Sequence, residues 1–374
     1  MPNATKSNLA DIKSLIKQTA NHVGFELAGV AGVYDFPELE FFPEWIAQGN
    51  AGEMAYLQAR DEVGRLKRGS LRGTVPWARS VVVCAINYNT SQPYSTQSDE
   101  PARGWISRYA WSQQDYHDIV LKKLKLVETR LRAAIAASYS SNVEQFQTRC
   151  YVDTGPLVER VYAKYAGIGW IGKNTCVINQ QLGSWLFLGV ILTSLELTPD
   201  LPAPDRCGTC TRCIDACPTD AFIADRQMDA SRCISYLTIE KRGLIPEDLR
   251  AGIGRQVFGC DICQDVCPWN RKSPATSEPE FRPRPELVNP ALDWLSEMTA
   301  ENFRETFRGS PVKRTKLSGL RRNAVVAMGN SKDHRFLPKL QRLADDPDPL
   351  VAEHASWAMR QLQALHETKT PNKC

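Results

Sequence analysis

The chain has 374 residues, 43% of them hydrophobic and 24% charged, with a formal net charge of +4. At roughly 100–200 residues per domain this is two or three domains with ample core, and the composition excludes a disordered, collagenous or low-complexity chain. No apolar run reaches the ~18 residues of a membrane helix.

In chain order, MPNATKSNLADIKSLIKQ has no apolar secretory core, which points to a cytoplasmic protein. It reads as an amphipathic helix with Leu9, Ile12, Leu15, Ile16 and Val23 on one face. Glu26 to Val33 and Ser80 to Tyr88 are strand-like, and residues 89–104 form a polar loop. Ile119, Val120, Leu124, Val127, Leu131 and Ile135 mark a long amphipathic helix from about Asp115. Cys150 to Asp153 reads as a short strand, Leu157 to Ala166 as a helix and Gly183 to Leu197 as a last apolar strand region. Residues 1–200 are therefore expected to form one α+β domain. Residues 201–275 hold the clustered cysteines, entered through the Pro-bearing LPAPDR, and a Pro-rich linker over 273–293 leads into the tail, 276–374. There Leu320 to Met328, Phe336 to Leu343 and Leu350 to Leu362 are helical in period, with breaks at Gly329-Asn330 and Asp345 to Pro349, as in a short helical-repeat unit. From Arg308 to Arg342 the tail carries ten basic residues (Arg308, Lys313, Arg314, Lys316, Arg321, Arg322, Lys332, Arg335, Lys339, Arg342) against Asp333 alone, a local charge of +9. A solvated basic face accounts for such a stretch; a surface for phosphate backbones is the sharper reading.

Twelve cysteines are unevenly spread. Cys84, Cys150, Cys176 and Cys374 are isolated, and Cys84 lies in an apolar run that reads as core. The other eight fall between 207 and 267, and in a reducing compartment clustered thiols hold metal more often than disulfides. Cys207, Cys210, Cys213 and Cys217, followed by Pro218, have the bacterial ferredoxin spacing, in which the fourth thiolate serves the other [4Fe–4S] cube. Cys260, Cys263 and Cys267, followed by Pro268, repeat it without the leading cysteine, which Cys233 can supply. The crossed pattern then gives one cluster to Cys207, Cys210, Cys213 and Cys267, and the other to Cys217, Cys233, Cys260 and Cys263. Zinc also binds paired cysteines, but this spacing, repeated, is hard to obtain from a zinc ribbon. Two clusters imply single-electron transfer to an acceptor elsewhere in the chain.

Gly167, Gly169 and Gly172 match a dinucleotide fingerprint, but a helical segment precedes them where a strand is required. The same stretch misses a P-loop because Asn174 stands at the Mg²⁺-binding hydroxyl position. A glycine-rich turn approaching a large flat ligand suits it better. Asp153-Thr154-Gly155 occurs once, whereas aspartic-protease chemistry needs two such carboxylates. Asp153 is either the N-cap of the following helix or a general acid.

YVDTGPLVERVYAKYAGIGWIGKNT (151–175), the cysteine runs, RCISYLTIEKRG (232–243), FRGSPVKRTKLSGLRRNAVVAMGN (307–330) and RYAWSQQDYHDIV (108–120) together resemble the epoxyqueuosine reductase family over nearly the whole chain. The resemblance implies a nitroreductase-like cobalamin domain (1–200), a bacterial-type double [4Fe–4S] module (201–275) and a HEAT-like repeat that helps hold tRNA (276–374). It implies reduction of the epoxide of epoxyqueuosine to queuosine at the wobble base of a tRNA anticodon stem-loop, through cobalamin fed by two [4Fe–4S] clusters. By the same resemblance Asp153 donates the proton, so burial against the corrin should raise its pKa. Arg60, Tyr116, Asp153, Val177, Asn179 and Leu188 are the expected cobalamin contacts, with Ile234 and Ser235 beside Cys233. Asp115-Tyr116-His117 does not continue as a cobalt-ligating D-x-H-x-x-G, so base-off cobalamin without a protein ligand is expected. His117 reads first as a structural hydrogen-bonding histidine and second as a proton shuttle. Lys241, Arg242, Arg314, Lys316, Arg321 and Arg322 are candidates for tRNA phosphates. A flavodoxin or ferredoxin is the natural reductant, and a monomer without membrane attachment is expected. Rival readings are a corrinoid reductase of a small molecule and a non-enzymatic electron carrier.

Overall fold

The computed structural model describes residues 6–138 and 146–367. Its first part is built on a four-stranded antiparallel sheet. Helix α1 (Lys6–His22) leads into β1 (Leu27–Gly32), then β2 (Ser80–Asn87), α2 (Tyr116–Ser138), β3 (Thr148–Tyr151), α3 (Glu159–Tyr165) and β4 (Leu186–Thr193). The strand order is β1-β2-β4-β3, with Cys84 of β2 between Ala28 and Gly189. Every residue of β2 is buried, because both faces of the sheet are covered, and this is why it reads as a continuous apolar run rather than an alternation. On one face Val82, Cys84, Ile86 and Ile191 pack with Ile12 and Ile16 of α1 and with Ile119, Leu124, Val127 and Leu131 of α2. On the other, Val81, Val83, Ala85, Val190 and Leu192 pack with Val161, Tyr162 and Ala163 of α3. Gly189 lets α2 lie close: a Cβ there would come within 2.7 Å of Leu124. The Leu9 side chain and Cys374 fall outside the described residues.

The cysteine module follows through α4 (Arg212–Asp215), α5 (Ile234–Ile239) and α6 (Ile262–Asp265), and the tail through α7 (Lys316–Asn330), α8 (Leu337–Leu343) and α9 (Pro349–Glu367). A third core unites residues from all three expected segments: Trp105, Ile106 and Trp111 from the first, Ile234, Leu237 and Phe258 from the second, and Leu292, Leu320, Val325 and Trp357 from the tail. Gln256–Phe258 pairs in parallel with Trp105–Ile106, a bridge between distant segments that local periodicity does not show. The helix break expected at Gly329-Asn330 comes just after them, at the C-cap Ser331. Helix α7 runs through Gly329 because a Cβ there would come within 2.8 Å of Ala358 in α9, so the glycine serves the crossing, not a turn. Asn330 then donates to the Arg250 and Gly254 carbonyls.

Candidate active site

Strand β3 ends at Tyr151, two residues short of expectation, because Asp153 takes φ 56°, the left-handed region. The Asp153 carboxyl does not cap α3, whose N-cap is Val158 without a side-chain bond. The capping alternative is thereby overturned. Instead Oδ2 of Asp153 accepts the phenol of Tyr116, at the first turn of α2. The Tyr116 ring lies parallel to Phe187 of β4 at 4.2 Å and edge-on to Tyr109 at 5.9 Å. His117 Nε2 is 3.9 Å from the same carboxylate oxygen, and its Nδ1 is 2.6 Å from Oδ1 of buried Asp115. Arg68 donates to the Asp153 carbonyl at 3.3 Å, and both Arg68 and Arg314 lie over the Tyr56 ring. The Asp153 side chain is 53% exposed, so the burial expected for it must come from what binds above it. Beneath it Glu159 is buried, Oε1 has no hydrogen-bond partner, and burial, with the Asp153 charge, pushes its pKa up to about 7.

The eight clustered thiols form two neighbourhoods. Burial pushes Cys267 up to about 11, opposed by the Trp269 N–H and reinforced by nearby Cys213, Cys176 and Cys207. Cys213 is likewise pushed up to about 11 by burial, with Cys207 and Cys210 beside it. Burial raises Cys260 well above the ordinary thiol range, with Cys233 and Cys217 adding to it. Cys233 is raised by burial against the N–H groups of Ser235 and Tyr236, which point at its sulfur. Cys263 hydrogen-bonds Cys176, a thiol read as incidental in the sequence, and lies near Cys260 and Cys233. Among the described residues no three His, Cys, Asp or Glu converge as on a single metal ion. Two cubes, each taking four thiolates around a larger body, suit this donor set.

The remaining cofactor candidates join these two centres. Val177 is buried and follows Cys176; Leu188 is half-buried and follows Phe187, which stacks on Tyr116. Ile234 is buried and Ser235 half-buried at the start of α5. Asn179 is spent on its turn: Nδ2 donates to Ile168 O, and Oδ1 accepts the N–H groups of Gln181 and Leu182. Arg60 is exposed and closes its own loop on Gly64 O. Beside Asp153 the buried, unpartnered Glu159 Oε1 is an acceptor that an amide of a corrin edge would fit, whereas Trp170 Nε1, also unpartnered, lies with Trp269 and Cys267.

The basic tail divides. Arg322 is fully buried, and its guanidinium donates to the carbonyls of Leu237, Lys241 and Gly243 and to Asn323, so it cannot reach a phosphate. Arg321 is likewise committed, to Asp346 and the Ser296 carbonyl. Lys241 pairs with Glu53. Arg314 pairs with Glu240 at 2.6 Å yet stays exposed over Tyr56; Arg242 and Lys316 are exposed. The sequence reading missed Arg68, Tyr56, Tyr109 and Glu159, none of which stands in a motif; Glu159 and Tyr109 do lie in two of the segments that carry the family resemblance.

The model described as "Epoxyqueuosine reductase QueG, DUF1730" matches residues 68–154, and the "4Fe-4S double cluster binding domain" matches 206–270. The epoxyqueuosine reductase of Xanthomonas campestris is 37% identical over 355 residues, covering 94% of this chain and 96% of its own. The chain belongs to the epoxyqueuosine reductase family. The Vibrio cholerae enzyme is also 37% identical, over 96% of this chain and 93% of its own. An epoxyqueuosine reductase solved with an epoxyqueuosine-modified tRNA-Tyr stem loop superposes with TM-score 0.81 at 31% identity, over 98% of this chain and 96% of that one. The Bacillus subtilis enzyme, solved with its catalytic aspartate loop swung out of the active site, superposes with TM-score 0.81 at 30% identity, over 98% and 96%. With the family come its cofactors, two [4Fe–4S] clusters and cobalamin, and its activity, a reduction in tRNA modification.

Proposed function

We propose that Asp153 is the proton donor in reduction of epoxyqueuosine to queuosine on tRNA. The observation that carries this is the Asp153 carboxyl itself, held in a left-handed turn by the Tyr116 phenol and half-exposed at the mouth of the site. When bound, cobalamin supplies low-potential reducing electrons to the epoxide carbon. The chain's own groups do the rest. Tyr116 orients Asp153, Asp153 protonates the departing oxygen, and Val177, Leu188 and Ile234 exclude water. Arg60 and Asn179, engaged in their own loops, offer the corrin backbone and outer edges rather than free side chains.

The grouping of the thiols supports the crossed assignment, Cys207, Cys210, Cys213 and Cys267 for one cluster and Cys217, Cys233, Cys260 and Cys263 for the other. The tRNA stem-loop is met by Arg68, Arg242, Arg314 and Lys316, with exposed Tyr56 beside a splayed base. The three segments, 1–200, 201–275 and 276–374, act as a nitroreductase-like domain, a ferredoxin module and a HEAT-like repeat around a shared core. No helix among the described residues is long and apolar enough to cross a membrane. We infer a cytoplasmic monomer fed by flavodoxin or ferredoxin.

The test is nucleoside mass spectrometry of epoxyqueuosine-bearing tRNA after anaerobic incubation with reconstituted protein and a low-potential reductant. Loss of one oxygen mass that requires cobalamin is expected, as is loss of most turnover in Asp153→Asn with cobalamin still bound. Full turnover in that variant removes Asp153 from the mechanism.

A further inference from the structure

Taking an oxygen out of an epoxide and releasing it as water consumes two electrons and two protons. The reductant and its clusters supply the electrons; one carboxyl supplies one proton. The pocket therefore needs a second donor, and the described residues around Asp153 offer three: Glu159, Tyr116 and His117. Glu159 is 7% exposed beneath the turn, shut off from the water that would reload it. Tyr116 is buried to 8% exposure inside an aromatic stack, and burial, with the Asp153 charge, raises its phenol far above its ordinary range. Giving up its proton would strand a phenolate among rings. His117 differs. Its side chain is 33% exposed, so it can reload from water, and Nε2 faces Asp153 Oδ2 at 3.9 Å.

The groups around His117 favour a cation there. Asp115, 7% exposed, holds Nδ1 at 2.6 Å, and Asp118 lies on the same helix. Across from it stands Asp153, beyond the turn after β3, and Lys313, between α5 and α7 in sequence, reaches the other oxygen of Asp115 at 3.7 Å. Burial pulls the imidazole down, but the Asp115 carboxylate, with Asp153 and Asp118, more than reverses this. Asp115 is itself held low, burial being outweighed by its bonds to His117.

We propose that His117 is the second proton donor, handing its Nε2 proton to Asp153 within each turnover. The inference rests on the reading of Asp153 as first donor. In the first transfer the Asp153 O–H bond breaks and an O–H bond forms on the oxygen as its first C–O bond opens with the two supplied electrons. In the second, the Nε2–H bond of His117 breaks and the Asp153 O–H re-forms. Asp153 passes that proton to the hydroxyl, whose remaining C–O bond breaks as water leaves and the alkene forms. Neutral His117 then takes a proton from solvent at Nε2 and relays it to the Asp153 carboxylate, and a second solvent proton restores the imidazolium, while Asp115 keeps Nδ1–H in place. A turn of the half-exposed Asp153 carboxyl shortens the 3.9 Å separation, as catalytic contacts tighten once substrate is bound.

Single-turnover reduction of epoxyqueuosine tRNA is measured against pH for His117→Gln, Asp115→Asn and Asp153→Asn, with cobalamin and cluster absorbance recorded for each. His117→Gln is expected to slow turnover roughly 10²-fold, to lose the decline at high pH, and to recover with added imidazole. Asp115→Asn keeps the imidazole but removes its anion, so the decline should move to lower pH, a shift that a merely structural histidine would not produce. A His117→Gln rate within about two-fold of the parent, with the parent's pH profile, overturns the proposal. If that variant fails to hold cobalamin, Asp115→Asn decides: an unmoved pH profile overturns it. Full activity of Asp153→Asn would instead sink the reading on which this one rests.

Discussion

Arg322→Met separates a structural role from a nucleic-acid role for the most conspicuous basic pair of the tail. The native guanidinium donates to three main-chain carbonyls, at 2.8 Å to Leu237, 2.9 Å to Lys241 and 2.8 Å to Gly243, and twice to Asn323 Oδ1. Burial lowers its pKa to about 10, and neighbouring Arg242 adds to the effect, yet it stays charged at neutral pH. Methionine fills the volume but strands the carbonyls. At about 1–3 kcal/mol for each unsatisfied group, the raw sum is ~3–9 kcal/mol. Recovered desolvation of the charge offsets part of this, leaving about 3–5 kcal/mol, the usual cost of breaking a buried ionic network. For a chain of this size that lowers the unfolding midpoint by roughly 4–6 °C. The assay is anaerobic thermal unfolding by circular dichroism beside tRNA titration at temperatures where the variant is folded. The expected result is a lower midpoint with near-native tRNA affinity. An unchanged midpoint with weakened tRNA binding would refute the reasoning and restore Arg322 to the phosphate surface.

Arg68→Ala with Arg242→Ala should weaken tRNA binding and reduce the slope of log affinity against log salt by roughly 1.4, at ~0.7 per single-strand phosphate contact, leaving the midpoint unmoved; an unchanged slope places the RNA elsewhere. Tyr116→Phe removes the phenol's hydrogen bond to the Asp153 carboxyl, worth about 0.5–1.5 kcal/mol, so turnover should fall roughly two- to ten-fold while cobalamin still binds; a parental rate would free Asp153 from Tyr116. His354 accepts the Ile245 N–H at Nε2 and meets Leu350 O through Nδ1, and burial lowers its pKa to about 3 from 6.5. The unfolded chain therefore binds a proton that the folded one refuses, and stability should fall by about 1.4 kcal/mol per unit as pH drops below 6.5 toward 3. His354→Gln should flatten that slope in denaturant titrations, and an equally steep slope would assign the acid lability to other groups.

What the sequence makes legible is what local pattern encodes. Strand β2 is visible because six β-branched or apolar residues run together, and α2 because Ile119, Leu124, Val127 and Leu131 keep one face. The cysteine sets are visible because cluster geometry dictates spacing. Arg322 is misread because its stripe looks solvated until the Leu237–Gly243 carbonyls, some eighty positions earlier, close over it. Asp153 looks like a helix cap because a helix does follow, and only the positive φ turns its carboxyl toward Tyr116 instead. Cys176 and Glu159 carry no pattern; contact with Cys263 and burial beneath Asp153 are tertiary facts.

One stretch ties the electron-bearing and proton-bearing ends together. Asp261 stands between Cys260 and Cys263, buried to 1% exposure, and its pKa is raised by burial despite the donors on it. Those donors are Trp105 Nε1 at 3.1 Å, the Ser107 hydroxyl and the Arg108 N–H at 2.8 Å. Eight residues beyond Ser107 the same stretch presents Asp115, Tyr116 and His117 to Asp153. Arg108 fixes the span between, its guanidinium bonded to the carbonyls of Thr90, Gln92 and Pro93 and lying over Trp111 and Trp185. The cysteine turn and the Asp115–His117 turn are thus positioned by one buried, hydrogen-bonded segment rather than by two domains free to drift. A reduction that must deliver electrons and protons to a single oxygen gains from that shared anchor, because a displacement of the Cys260–Cys263 turn would be carried through Asp261 toward Tyr116 and His117.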